Sequence, residues 1–157
     1  MNLTVKICTL VVAIGMLACQ EATENPALEN ASITRNQTLY DKAESDLKNG
    51  TSSSDAFNLL DVKIEGTNLL VKVSYSGGCS EHKFNIVWPE VIIQIYPPTI
   101  SVILNHDNNG DQCEAMITKT LSFDLTDDSL SLSEQEINDM ILTVVNGSNA
   151  EEKLSNK

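Results

Sequence analysis

From Phe57 to Asn146, apolar and polar residues alternate with a period of two, interrupted by clusters of turn residues. Leu60, Val62 and Ile64 alternate with Asp61, Lys63 and Glu65. After the turn Glu65-Gly66-Thr67-Asn68, the residues Leu69, Val71, Val73 and Tyr75 alternate with Leu70, Lys72 and Ser74. That spacing predicts a β-hairpin with one buried face. Phe84, Ile86 and Trp88 extend the pattern up to Pro89, and Val91 to Tyr96 is an apolar run stopped by Pro97-Pro98. Further strands are marked by Ile100, Val102 and Leu104, by Ala115, Ile117, Leu121, Phe123 and Leu125, and by Met140 to Val145. Ser133 and Glu136 have the spacing of a helix capping box. Six or seven short strands with no long helical period predict an all-β fold. The expected architecture is a small β-sandwich, immunoglobulin-like, or a partly open barrel.

Outside this block the pattern changes. Gln20 to Ala56 is polar, with Pro26 and the run Asn49-Gly50-Thr51-Ser52-Ser53-Ser54-Asp55, and reads as a flexible tether. Within it, Leu39, Ala43 and Leu47 at fourfold spacing before Gly50 allow a short helix. Gly147 to Lys157 reads as a polar tail. At the N-terminus, Lys6 precedes an apolar run from Ile7 to Leu17, too short for a bilayer span of about 20 residues. This is the layout of an export signal. The expected division is therefore a signal over 1–18, a tether over 19–56, a β-domain over 57–146 and a tail over 147–157.

The signal ends in Met16-Leu17-Ala18-Cys19-Gln20, which resembles the lipobox of bacterial lipoproteins. The resemblance implies cleavage before Cys19 and acylation of its thiol and new amino group, palmitate included. Met16 and Leu17 depart from that pattern, which favours Leu at the first of these positions and a smaller residue at the second. The alternative is plain secretion, with cleavage near Cys19 and no lipid. Either route exports the chain and removes Cys8 with the signal. Cys79 and Cys113 then remain as an even pair in an oxidising compartment, and a disulfide is the economical reading.

Charge narrows the partners. The 157 residues carry 10 Lys and Arg against 22 Asp and Glu, a net −12. Such a surface is unsuited to nucleic acid or to electrostatic docking on anionic lipid. Residues 57–146 hold 13 acidic and 4 basic residues, so most of the charge belongs to the β-domain.

Strand phase also puts polar residues on the inner face. His82 shares parity with Phe84, Ile86 and Trp88; His106 shares it with Ile100, Val102 and Leu104; Cys113 shares it with Ala115 and Ile117. With Cys79 three residues before His82, all four converge near one end of the sandwich. Three readings compete. In one, Cys79 and Cys113 are bonded and the histidines are hydrogen-bonded residues that fix adjoining loops. In another, Cys79, His82, His106 and Cys113 form a tetrahedral zinc site. In the last, Asp107, Asn109, Asp111 and Glu114 bind calcium, although the EF-type loop requires Gly and Glu where Gln112 and Thr118 stand. The first is adopted; no cofactor is expected and no metal is favoured.

Enzyme readings find less. Ser76 or Ser80 with His82 and Asp107 or Asp111 can be written as a triad, but no Gly-x-Ser-x-Gly elbow exists. No carboxylate pair stands out from the acidic positions that alternate with core residues. Gly77-Gly78 joins two strands rather than a strand and a helix, so it is no phosphate loop.

The blocks from Ser74 to Phe84 and from His106 to Ala115, followed by Ser122-Phe123-Asp124-Leu125, are similar to a family of uncharacterised lipoproteins of Bacteroidota-type bacteria. The resemblance implies a paired-cysteine β-domain behind a lipid anchor, without an assigned activity. It also implies a surface-export signal in Gln20-Glu21-Ala22-Thr23-Glu24 and an O-glycan site at Asp128-Ser129-Leu130. The expectation is a membrane-anchored envelope protein, outer membrane or cell surface, whose β-domain binds a protein or glycan. The rival is a small extracytoplasmic hydrolase or metal-dependent enzyme using the His82/His106 end.

Overall fold

The computed structural model describes residues 31–90 and 96–157. The expected signal, Cys19 and the run Val91 to Ile95 lie outside the described residues. Ten elements follow in order: β1 (Ala31–Arg35), α1 (Gln37–Asn49), β2 (Asn58–Glu65), β3 (Asn68–Gly77), β4 (Lys83–Trp88), β5 (Thr99–Asp107), β6 (Ala115–Asp124), α2 (Glu134–Asp139), β7 (Ile141–Asn146) and β8 (Asn149–Ser155).

Eight strands form two sheets. One has five strands in the order β1-β4-β5-β7-β8, and the other has three in the order β2-β3-β6. The fold is therefore an all-β sandwich and not a closed barrel. It departs from an immunoglobulin arrangement, whose sheets are antiparallel: β1 runs parallel to β4 and β5 parallel to β7. Parallel neighbours need long crossovers. Here the chain makes them by leaving one sheet for the other and returning, so neither sheet is a contiguous piece of sequence.

The expected inner faces hold in most strands. Leu69, Val71, Val73 and Tyr75 of β3, Phe84, Ile86 and Trp88 of β4, and Ile100, Val102 and Leu104 of β5 are all buried in one core. Leu121, Phe123, Leu142 and Val144 join them. The capping box is present, with Ser133 accepting from the Glu136 N–H and the Glu136 carboxylate accepting in return from the Ser133 N–H.

Strand β2 corrects the expected phase. Its register slips between Leu59 and Asp61, leaving Leu60 as the extra residue of a bulge. The slip moves Leu59 into the core and leaves Leu60 48% exposed.

The tether and the tail are also corrected. Residues 31–49 of the expected tether form β1 and α1, and residues 149–155 of the expected tail form β8. Helix α1 starts at Asn36, whose side chain accepts from the Leu39 N–H, and stops at Gly50 in the left-handed region. It lies on the outer face of the five-stranded sheet against β4, β5 and β8. Val87 and Ile103 point outward from the core yet are 5% and 2% exposed. The helix is the cover that makes this second apolar layer. Strand β8 is polar because it is an edge strand. Its Glu152 accepts from the Leu59 N–H of β2 at 2.7 Å and from Asn146 Nδ2 at 2.6 Å, closing one side of the sandwich.

Burial beneath α1 and exposure at the bulge give opposite expectations from those of simple alternation. Ile103→Ala should cost about 2–4 kcal/mol through the cavity it leaves, and Leu60→Ala about 0.5 kcal/mol or less. Urea denaturation of the two variants checks this; a larger loss at Leu60 would contradict the placement.

Candidate functional site

The residues singled out by strand phase meet at one end of the sandwich. At this end β3 leaves the three-stranded sheet for β4, β5 leaves the five-stranded sheet for β6, and residues 50–57 bring the chain from α1 into β2. Cys79, in the first connection, is joined by a disulfide to Cys113, in the second, with a Cα–Cα distance of 5.9 Å. Chain-entropy models give such a loop roughly 3–4 kcal/mol of stabilisation.

Asp111 connects the same two loops without a covalent bond. Its Oδ2 accepts the backbone N–H groups of Gly78, Cys79 and Ser80 at 2.9, 2.8 and 2.8 Å. Its Oδ1 accepts the Cys113 N–H at 2.8 Å. Backbone donors that have left a β-ladder must find acceptors when buried, and one carboxylate satisfies four of them. Those bonds, from Cys113 first, then Ser80 and Cys79, hold the Asp111 carboxyl well below the usual carboxylate range, against the opposing effect of burial; His82 adds to them.

The histidines continue inward from Asp111. His82 Nε2 is 3.1 Å from Asp111 Oδ2, and His82 Nδ1 is 2.8 Å from His106 Nε2. His106 Nδ1 is 3.3 Å from the backbone oxygen of Asp55. Both histidines are buried, at 6% and 3% exposure. His106 stacks on Phe84 with ring centroids 4.5 Å apart, and Tyr75 lies 4.6 Å from His82 and 5.1 Å from His106. Burial pushes the His106 pKa down, against the raising effect of the Asp55 backbone; the neighbouring His82 lowers it further. Burial likewise raises the Tyr75 phenol.

Gly77 makes room for this packing. A Cβ there would stand 2.5 Å from His82 Cε1 and Nε2, so the close approach of backbone to imidazole requires glycine.

A strap formed by residues 52–56 closes the array. The His106 N–H donates to Ser54 Oγ at 2.9 Å, the Asp55 N–H donates to the His106 oxygen at 2.9 Å, and the Asn108 N–H donates to Asp55 Oδ2 at 2.8 Å. Ser52 Oγ donates to the Gly147 oxygen. Nothing in the sequence marks Asp55 for this role, because it falls in a polar run with no periodicity.

The arrangement decides among the readings of the cluster. The thiolates that the zinc reading requires are bonded to each other as Cys79–Cys113, and His82 and His106 contact one another, Asp111 and Asp55. Sγ of Cys79, Sγ of Cys113 and a carboxylate oxygen of Asp111 lie within 4.8 Å of one another, but the sulfurs are disulfide sulfurs and not thiolates. The calcium reading divides its residues between two environments. Asp107 is exposed and accepts the Asn109 N–H at 2.8 Å, whereas Asp111 turns inward. The turn is closed by its own bonds, from the Gly110 N–H to Asn108 Oδ1 at 2.9 Å and from the Asp111 N–H to the Asn108 oxygen at 2.9 Å. The triad reading lacks a base. Both ring nitrogens of His82 already have partners, Ser76 Oγ donates to the Cys113 oxygen at 3.3 Å, and Ser80 is exposed. Glu114 is exposed too, outside the array.

The outer side of this end is concave, a hollow of about 380 Å³ lined by Asp55, Ser76, Asn108, Asp111 and Glu114, and two larger clefts are present. A cleft of about 610 Å³ opens beside the strap, lined by Ser32, Ser53, Lys83, Asn85 and Asn105. A second, of about 630 Å³, runs between α1 and the outer face of the five-stranded sheet, with Tyr40, Lys48, Ser101, Thr143 and Lys153 on its walls.

Neither a protein-family profile nor a curated protein sequence matches the chain. Among solved structures it is similar to a protein of unknown function, DUF1344, from Bacteroides vulgatus, at 18% identity over 80% of this chain and 54% of that one, with a TM-score of 0.49. It is also similar to a NigD-like immunity protein from Bacteroides caccae, at 17% identity over 74% of this chain and 51% of that one, with a TM-score of 0.45. The chain thus spans about half the length of these solved structures. Neither of them assigns a residue or an activity to it.

The pH dependence of the Asp111 clamp follows from the depressed carboxyl. A carboxyl held below its usual value of 3.8 contributes stability above that value and loses it as pH falls toward the folded-state value. Asp111→Ala should therefore melt well below the parent at neutral pH, with the gap narrowing below about pH 3.8. Melting curves at neutral and acid pH check this; a gap independent of pH would contradict it.

Proposed function

We propose that the chain is an exported envelope protein, anchored to the membrane by lipid on Cys19, whose β-domain binds a protein or glycan partner without transforming it. One observation carries the choice of binding over catalysis. The side chains with the most chemistry, His82, His106, Asp111, Cys79 and Cys113, spend their polar atoms on one another and on the backbone. A catalytic base must reach a substrate proton, and His82 has both nitrogens committed inside the core. The hydrolase and metal-enzyme readings both depend on these histidines, and no contact of theirs favours either.

The anchor rests on the sequence alone, on the Ala18-Cys19-Gln20 element behind an apolar run. The folded part begins by Ala31, so a tether would be limited to the dozen or so residues after Cys19.

Intact-mass analysis of membrane-extracted protein tests the anchor, with a mature chain starting at diacylglyceryl-modified Cys19 as the expected result. A mature mass without diacylglycerol would overturn it. For the β-domain, paired His82→Ala and His106→Ala substitutions should abolish cooperative folding. A pair that leaves folding intact while removing an activity would favour the enzyme.

A further inference from the structure

Counting hydrogens along the buried array gives a charge state. Its two ends are acceptors: the Asp55 backbone oxygen at one, the Asp111 carboxylate at the other. Asp111 takes four backbone N–H bonds and has no proton to offer. His106 Nδ1 must therefore carry a hydrogen to meet Asp55, and His82 Nε2 must carry one to meet Asp111. The 2.8 Å contact between His82 Nδ1 and His106 Nε2 needs one more hydrogen between the rings. Two neutral imidazoles hold two ring hydrogens, one each. Three contacts require three.

We propose that His82 and His106 share three protons, so that the buried pair carries one positive charge against the Asp111 carboxylate and latches the strap of residues 52–56 in a pH-dependent way. The surroundings suit a single charge. Asp111 faces the pair from the β5–β6 turn and Asp55 from the strap. Tyr75 faces it from β3, while Phe57 and Phe84 supply apolar walls from β2's leading edge and β4. Lys83 and Asp107, at the ends of β4 and β5, and Glu81 in the β3–β4 connection are exposed. A fourth proton would place two imidazolium rings 5.0 Å apart inside the core; burial and the neighbouring ring both oppose it at His106.

Loss of the third proton must break one of the three contacts. The contact to the Asp55 oxygen is the longest, at 3.3 Å against 3.1 and 2.8 Å. Deprotonation then gives up the ring contact to the strap first, leaving the strap to its Ser52, Ser54 and Asp55 bonds, while the Asp111 clamp and the disulfide still hold the two loops. The device is a latch that loosens toward alkaline pH. What it loosens is the connection between α1 and β2, which also borders the 610 Å³ cleft beside the strap.

The linkage has a definite sign. Above the ordinary imidazole value of about 6.5, the unfolded pair holds two protons and the folded pair three, so stability falls as pH rises. Below that value the unfolded pair holds four, and stability falls as pH drops. Each side changes the folding constant by up to about tenfold per pH unit, with a maximum between them.

The chain contains two histidines, so ring resonances have no competitors. Nitrogen-detected NMR of the full chain labelled with ¹⁵N-histidine, at about pH 7.5, a unit above the ordinary imidazole value, counts the protons directly. Three ring N–H signals from the pair are expected, with the Asp55 and Asn108 amides exchanging faster once the third is lost at higher pH. Two ring N–H signals, or a folding constant that does not change above neutral pH, would overturn the proposal. The measurement requires no variant, so a failure of folding cannot obscure the result.

Discussion

The carboxylate of Asp111 holds together the two places where the chain changes sheets. Four backbone N–H groups converge on it, three from the β3–β4 connection and one from the β5–β6 connection. Those loops cannot use ladder bonds, because each runs from one sheet to the other, and buried donors without acceptors are costly. The disulfide joins the same loops covalently. The histidines extend the tie to the strap between α1 and β2. Three connections between layers therefore close at one end of the sandwich. The two parallel strand pairs, which only such crossings make possible, depend on that closure.

This explains why a cluster rich in reactive residue types has so little chemistry to offer. Histidine, aspartate and cysteine are what an active site or a metal centre uses, and also what can satisfy a crowded set of buried backbone groups. Geometry separates the two cases. In a reactive centre at least one polar atom lacks a partner within the protein; here each ring nitrogen and each Asp111 oxygen has one, and the sulfurs are bonded to each other. Gly77 shows how closely the packing is drawn, since even a methyl group there would collide with His82.

Much of this was legible in the sequence, and what escaped it did so for physical reasons. Alternation identified the inward residues of β3, β4 and β5, and with them the inward histidines, because a half-buried strand imposes period two on every residue, polar ones included. The cysteine pairing followed from the even count left after an expected export signal. Alternation failed at Leu60, where a bulge inverts the phase, and at Ile103, which is covered by a helix on the face expected to meet solvent. Strands β1 and β8 went unseen because edge strands bury one narrow face and read as polar. The division of labour between Asp107 and Asp111 had no periodic signature at all. Both lie in a turn, and only the three-dimensional path shows which one turns inward.

The central claim is that the histidine end is a closed lock and not an accessible reactive centre. Modification of the folded, disulfide-intact protein with diethyl pyrocarbonate, which acylates imidazole nitrogens it can reach, tests this most directly. Mass-spectrometric mapping should find His82 and His106 unmodified until denaturant unfolds the domain, when both react together. Prompt modification of either histidine in protein whose fold is intact would contradict the account.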